Sequence, residues 1–240
     1  CIPVLRWILQ RVTRSGVFDE VFALVDDSSV LELVHQWGFE AKLTSPDCNS
    51  GTDRAVSAIK ELSGDFIINV QGDEPFVEIQ LLKNLSKRLR SDAGDIELLT
   101  AVYPIKNSEL LHNPNRVKVV RDCQGRALYF SRSCIPYVRE NPSRGWTTDK
   151  DWTQCCDFWG HIGIYAYRRS LLERYHSLKT GFLDQVEQLE QLRFLENGVP
   201  IHCIEAHGPT LSIDVPNDLV EAERFLQQHP ELRTESTFVE

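Results

Sequence analysis

Two aspartates in this chain stand where an apolar run gives way to a turn. The first follows Phe66-Ile67-Ile68-Asn69-Val70, in Gln71-Gly72-Asp73-Glu74-Pro75; the second lies in Ser212-Ile213-Asp214-Val215-Pro216. Ligands of open α/β sheets bind beyond the carboxyl ends of the strands, so acids at such positions are placed for chemistry. Two carboxylates from different strand ends can share one Mg²⁺, which takes one or two carboxylates and completes its octahedron with phosphate oxygens and water. Phosphoryl or nucleotidyl transfer uses that arrangement, because charge spreads over phosphate oxygens in the transition state. An ordinary polar turn accounts for the first site equally well at this point, with Glu74 complementing a helix dipole. Sequence separation says nothing about whether Asp73 and Asp214 meet.

The elements that must position these acids alternate. An amphipathic helix marked by Ile2, Leu5, Leu9 and Val12 ends at Gly16. Val21 to Val25 reads as a short strand, followed by a capping box, Ser29 with Glu32, opening a helix that Gly38 closes. Ala41 to Leu43 gives another strand, and Ser50-Gly51-Thr52-Asp53-Arg54 starts a helix through Leu62. The run Phe66 to Val70 lacks polar alternation and reads as a strand buried on both faces. A helix carrying Leu81, Leu82, Leu85 and Leu89 follows, then a strand from Ile96 to Ile105. Arg116 to Val120 and Ala127 to Phe130 flank Gly125 as an antiparallel hairpin. His161 to Tyr167 is a strand and Leu171 to Leu178 helical. Leu183, Val186, Leu189, Leu192 and Leu195 trace one continuous helix ended by Asn197-Gly198, and Ile201 to Ile204 is a further strand. The order predicts an α/β fold: three layers, with a mostly parallel sheet between helices. One domain spans residues 1–240, with a long mobile loop over 139–157 and a loose tail over 229–240. Trp146, Trp152 and Trp159 either stack on a base or, as is commoner, pin that loop onto the core or a partner subunit.

Composition narrows the partners. There are 26 basic and 35 acidic residues, a net charge of -9, which argues against a surface built to neutralise a nucleic-acid backbone. No apolar run approaches the roughly 20 residues that span a bilayer, so a cytoplasmic protein is expected. The seven cysteines show no metal-ligand spacing and are expected as reduced thiols, the adjacent Cys155 and Cys156 included.

Several longer stretches carry a resemblance. Ser50-Gly51-Thr52-Asp53-Arg54, Asn69-Val70-Gln71-Gly72-Asp73-Glu74-Pro75, Ala127-Leu128-Tyr129-Phe130-Ser131-Arg132, His161-Ile162-Gly163-Ile164-Tyr165-Ala166-Tyr167-Arg168, Leu189-Glu190-Gln191-Leu192-Arg193 and Ile213-Asp214-Val215-Pro216-Asn217-Asp218-Leu219 occur in this order. Together they resemble the 3-deoxy-manno-octulosonate (Kdo) cytidylyltransferases, the CMP-Kdo synthetases, over nearly the whole chain to about Leu226. The resemblance implies the nucleotide-diphospho-sugar transferase fold and a Mg²⁺-dependent reaction of CTP with the anomeric hydroxyl of Kdo, giving CMP-Kdo and pyrophosphate for lipopolysaccharide biosynthesis. It implies a homodimer. By motif match, Asp73 and Asp214 would be the catalytic metal ligands; Ser50, Arg54, Gln71 and Gly72 would bind the nucleotide. Arg132, His161, Tyr165, Glu190 and Gln191 would line the sugar pocket. Kdo is a polyhydroxylated acid, which suits an arginine fork with mixed donors and acceptors. The plain alternatives are a core histidine at 161, a surface pair at Arg132, and an exposed helical face for Glu187-Gln188 and Glu190-Gln191.

The family opens with a first strand and a basic loop of the type A-R-x-x-S-x-R-x-P-G-K that holds the triphosphate, and this sequence contains neither. It begins at Cys1 and has no methionine, so a truncated sequence is the better expectation than an inactive protein. Without that strand a sheet edge is left open, with no device in the sequence to protect it. The competing readings are a synthetase for another sugar acid, such as 8-amino-Kdo or sialic acid, and an inactive homologue that binds a sugar acid or a partner.

Overall fold

The long strand β7 (Phe158–Arg168) is the one against which most of the sheet is assembled. The computed structural model describes residues 2–92, 94–146, 152–207, 211–213, 216–230 and 232. In chain order the elements are α1 (Val4–Arg14), β1 (Phe22–Val25), α2 (Ser28–Gln36), β2 (Glu40–Leu43), α3 (Gly51–Ser57), β3 (Phe66–Val70), α4 (Ile79–Ser91), β4 (Leu98–Ile105), α5 (Ser108–His112), β5 (Lys118–Arg121) and β6 (Ala127–Ser131). After β7 come α6 (Arg169–Glu173), α7 (Phe182–Glu187), α8 (Gln191–Glu196), β8 (His202–Glu205) and α9 (Pro216–Gln228).

One edge of β7 pairs antiparallel with β4, which in turn pairs parallel with β8. Its other edge serves two strands, β5 at Trp159 and Gly160 and β3 from Ile164 to Arg168, and β6 completes the hairpin with β5. Thus β3, β4, β5 and β8 run one way and β6 and β7 the other. Most strands share a direction, as the alternation predicted, yet most neighbours are antiparallel because β7 lies among them, so the sheet is mixed. The β4–β7 register shifts at Thr100/Ala101: Thr100 faces Tyr165, and Ala101 faces Ile162, which leaves Gly163 and Ile164 without counterparts in β4.

Side chains alternate across this sheet and bury two apolar layers, as period-two strands must. Leu99, Ala101, Ile162, Ile164 and Ala166 pack with Ile8 and Val12 of α1 and Leu81, Leu82, Leu85 and Leu89 of α4. On the other face Leu98, Val102, Tyr165 and Tyr167 meet Ala55 and Val56 of α3, Leu171 and Leu172 of α6, and Leu192 and Phe194 of α8. The layers are helix, sheet, helix. The hairpin, the end of α1 before Gly16 and the Gly38 stop (φ 82°) agree with the sequence reading, while Ile2 lies before α1 and is exposed. Trp146 and Trp152 pack with Ile105, Leu111, Val138 and Phe158, so among the described residues they pin the loop to the core.

Four expectations are corrected. The cap of α2 is Asp27, whose carboxylate accepts from Ser29 N–H at 2.7 Å, and not Ser29. α3 ends at Ser57 instead of Leu62. β3 is half-buried throughout, not buried on both faces, because its edge away from β7 opens onto a groove of about 880 Å³ shared with β1. The separate two-stranded β1–β2 sheet stands on the other side of that groove.

The fourth correction matters most. The single apolar-faced helix expected across Leu183 to Leu195 is two, α7 and α8, with Gln188 between them at φ 52°. That left-handed conformation costs about 1–2 kcal/mol for a residue with a Cβ. It is offset by Glu187, whose carboxylate accepts from Ser131 Oγ (2.5 Å), Arg132 N–H (2.9 Å) and Tyr129 O–H (3.2 Å), while its carbonyl accepts from Arg132 Nε (2.9 Å). The carbonyl that would have continued the helix is given to β6 instead. Burial pushes the Glu187 carboxyl up, but these donors outweigh it and hold it below the usual range. Replacing Glu187 with alanine is therefore expected to destabilise the fold by about 2 kcal/mol or more, since hydrogen bonds to a charged acceptor are the strong ones. A urea midpoint within error of the native chain would contradict this.

Candidate active site

The C-terminal end of β3, the middle of β7 and the α7–α8 turn enclose a cavity of about 660 Å³. Of the residues singled out in the sequence, Ser50, Gln71, Asp73, Arg132, His161, Tyr165, Glu190 and Gln191 all line it. Arg54 and Gly72 do not. They face the groove between β1 and β3, which adjoins the cavity at Gly51, Gln71 and Asp73. Arg54 is engaged there, donating to Asp26 Oδ2 (2.8 Å) and Thr44 Oγ1 (2.6 Å). Asp214 lies outside the described residues. Its neighbour Ile213 donates its N–H to the Asp73 carbonyl at 2.9 Å, and Arg116 holds Ser212, so the segment leading into Asp214 is fastened beside the first aspartate.

Each wall of the cavity has a mechanical reason. Ser50 caps α3, accepting from Asp53 N–H (3.1 Å). Glu190 ties that same helix start to the β3 turn: one carboxylate oxygen accepts from Thr52 N–H (2.9 Å) and the other from Gln71 Nε2 (3.1 Å). A carboxylate only accepts, so the Gln71 amide is fixed with Nε2 toward Glu190 and Oε1 toward Gly163. A Cβ at Gly163 would sit 2.5 Å from that Oε1, so a larger residue would push the glutamine out of this position. The exposed-helix reading of Glu190 and Gln191 is thereby excluded, since Gln191 is 2 % exposed and accepts from the Tyr165 hydroxyl at 3.0 Å. The buried Gln191 Nε2 finds no partner among the described residues. Burial raises the Tyr165 phenol well above its ordinary range and keeps it a proton donor.

Arg132 sits at the opposite wall, its guanidinium held by the carbonyls of Glu187 (2.9 Å), Pro114 (3.3 Å) and Gln188 (3.5 Å). Its own carbonyl accepts from the Lys118 ammonium, which also bonds the Asn113 carbonyl at 2.9 Å. Lys118 is fully buried, and burial pulls its pKa down. These carbonyls orient Arg132 without a bound carboxylate among the described residues, leaving its charge available to an anion.

Sequence reasoning missed Thr100, Lys118 and Arg116, left Glu74 unassigned, and read Glu187 as part of an exposed helical face. Glu74 is 6 % exposed and accepts from Gly163 N–H at 3.2 Å, so it braces β7 and is no helix-start acid. The signal for Lys118 was a lone lysine beside Val119-Val120 in a strand; Thr100 and Arg116 carried none, because their partners are far along the chain. Among the acids and bases at the cavity, Asp53, Asp73, Glu74, Asp184 and Glu190 stand against Arg116, Arg132 and Arg193. The lining is acidic. Among the described residues no group of three or more His, Cys, Asp or Glu is arranged to hold a metal ion. The described cysteines are free thiols, and the Cys155 and Cys156 sulfurs lie 3.8 Å apart away from the cavity. No described helix is long and apolar enough to cross a membrane.

A mixed α/β sheet with an acidic turn at the strand ends and a polar cleft beside it defines a nucleotidyltransferase type of fold, and the comparisons agree. Residues 2–204 match the cytidylyltransferase family model. The 3-deoxy-manno-octulosonate cytidylyltransferase of Elusimicrobium minutum is 40% identical over 221 residues, covering 91% of this chain and 86% of that protein. Its counterpart in Acidobacterium capsulatum is 37% identical, covering 93% of this chain and 86% of the relative. A solved CMP:2-keto-3-deoxy-manno-octonic acid synthetase complexed with CTP superposes with a TM-score of 0.83 at 33% identity, covering 95% of this chain and 88% of that one. The chain is a cytidylyltransferase. It belongs to the 3-deoxy-manno-octulosonate cytidylyltransferase family.

His161 yields a test of the cavity's electrostatics. Burial drives its pKa from 6.5 down to about 3, so the fold keeps it neutral. Between those values the unfolded chain binds the extra proton and the folded chain does not, so stability rises with pH across that window and falls on acidification. The slope is at most about 1.4 kcal/mol per pH unit. Stability measured from pH 6.5 to pH 4 is expected to decline less steeply in His161→Gln than in the native chain. Equal slopes would mean that His161 titrates normally.

Proposed function

We propose that this chain activates Kdo with CTP, the anomeric hydroxyl attacking the α-phosphorus to give CMP-Kdo and pyrophosphate, in a Mg²⁺-dependent reaction that supplies lipopolysaccharide synthesis. The observation that carries the reading is the single cavity shared by Asp73, Arg132, His161, Tyr165 and Gln191, with the Ser50–Gln71 wall adjoining a second groove. A bulky two-substrate reaction needs such a joined pair of spaces.

The donor set fits Mg²⁺. The Asp73 carboxylate is a hard oxygen donor, no thiol lines the cavity, and its one imidazole engages Thr100 through Nε2. Mg²⁺ commonly takes only one or two carboxylates from the protein and the rest from phosphates and water. Asp73 and Asp214 would hold it. When bound, it would offset the acidic lining and polarise the α-phosphate. The chain's own residues do the remaining work. Ser50, Gln71 and Gly72, with Arg54 on the groove side, would lie along the nucleotide. Arg132, oriented by three carbonyls, would take the sugar carboxylate as an anion partner. Tyr165 and Gln191 form a donor–acceptor chain whose free end, Gln191 Nε2, would donate to a sugar oxygen. Glu190 would act through Thr52 and Gln71, both of which it already holds, more than through direct contact. The protein would work in the cytoplasm, as a homodimer.

The test is pyrophosphate release. It is expected only when CTP, Kdo and Mg²⁺ are all present, and Asp73→Asn is expected to lower kcat/KM by about 100-fold or more, the scale of losing a metal-borne electrostatic term. Release without the sugar acid, unchanged release in the variant, or preference for 8-amino-Kdo or sialic acid over Kdo would overturn the proposal.

A further inference from the structure

The β7 irregularity beside the cavity has to satisfy its own backbone. Gly163 and Ile164 face no residue of β4. Glu74 takes the Gly163 N–H, and the Thr100 hydroxyl donates to the Ile164 carbonyl at 2.9 Å. Bulges near functional sites re-aim side chains in this way.

Thr100 makes a second contact, 2.9 Å from Nε2 of His161. A hydroxyl has one proton. The Ile164 carbonyl only accepts, so the proton goes there, and toward His161 the threonine oxygen is an acceptor. The histidine must then carry its hydrogen on Nε2. The ring is wedged between Phe130, edge-on (centroids 5.1 Å apart, 77°), and Tyr165, tilted (5.4 Å, 45°), so it has little freedom to flip. Nδ1 is left as a lone pair on a residue that lines the cavity, with no hydrogen bond to it among the described residues.

We propose that Thr100 is a positioning residue that holds His161 as the Nε2–H tautomer, so that Nδ1 presents a hydrogen-bond acceptor to a hydroxyl of the substrate. Thr100 is completely buried and is not among the residues that line the cavity, so it acts through the imidazole. The consequence is selectivity by polarity. At this point the site takes an O–H donor and discriminates against a carboxylate, a phosphate oxygen or an etherified hydroxyl, each of which would bring a second acceptor against Nδ1. A histidine in the other tautomer, or charged, would accept all of them. The proposal rests on the sugar-acid reading of the cavity, which supplies the hydroxyls.

Two variants and one spectrum test it. In ¹⁵N-histidine spectra of the full chain, with the signal assigned by its loss in His161→Gln, His161 is expected to show a protonated Nε2 and an unprotonated Nδ1. Thr100→Ser keeps the hydroxyl and is expected to keep both that tautomer and the native KM for Kdo. Thr100→Val removes it, and is expected to mix the tautomers and raise KM for Kdo about tenfold, with KM for CTP within about twofold. A native spectrum with the proton on Nδ1 overturns the inference, even if Thr100→Val fails to fold. So does a folded Thr100→Val with unchanged tautomer and kinetics. If the native spectrum is as expected but Kdo is not turned over, the tautomer assignment stands and the cytidylyl-transfer reading is what fails.

Discussion

Two residues of the longest strand that have no counterparts in β4, Gly163 and Ile164, are the constraint from which the cavity follows. Their backbone groups cannot be met by β4, and a buried N–H or C=O without a partner costs as much as a lost hydrogen bond. Glu74, from the turn after β3, and Thr100, from β4, supply the partners. In doing so they bury a carboxylate beside Asp73 and a hydroxyl beside His161. Glycine at 163 leaves the space that the Gln71 amide fills, and a larger residue would displace that amide. One irregularity therefore fixes Gln71, Glu74, His161 and Tyr165 at a single wall.

The opposite wall is set by a second departure from regularity, the break between α7 and α8. Glu187 gives its carboxylate and its carbonyl to the end of β6, and Gln188 takes a left-handed conformation to allow it. The chain then turns so that Glu190 and Gln191 face inward instead of continuing an exposed helical face. Both walls are held by carboxylates that accept backbone or amide protons, which makes them rigid and leaves few basic groups free. Among the described residues acids outnumber bases in the cleft, and under the proposed reaction a hard divalent ion at the Asp73 oxygens would screen a bound triphosphate.

The sequence disclosed much of this scheme at the level of elements. The alternation of strands and helices, the hairpin about Gly125, and the leucines of α4 follow from periodicity and turn residues that act over short distances. The motif at Gln71-Gly72-Asp73-Glu74 was legible as a candidate site because acids have no local need to end an apolar strand. Glu74 was not assignable, since its partner Gly163 lies far along the chain. Helical periodicity misled at Leu183 to Leu195: the apolar spacing there is satisfied equally by one helix or by two short ones, and only the tie to β6 decides.

What the sequence determined by itself is the class of fold and the identity of the polar groups: which residues carry carboxylates, guanidinium groups and an imidazole, and which strands and helices bear them. What tertiary structure alone decided is how those groups are used. Glu190 serves as a strut, Arg54 belongs to the neighbouring groove, β3 lies half-open, and His161 lines the cavity as a neutral imidazole. Each of these depends on hydrogen bonds or burial between residues tens to more than a hundred positions apart, and local propensity carries no information about such partners.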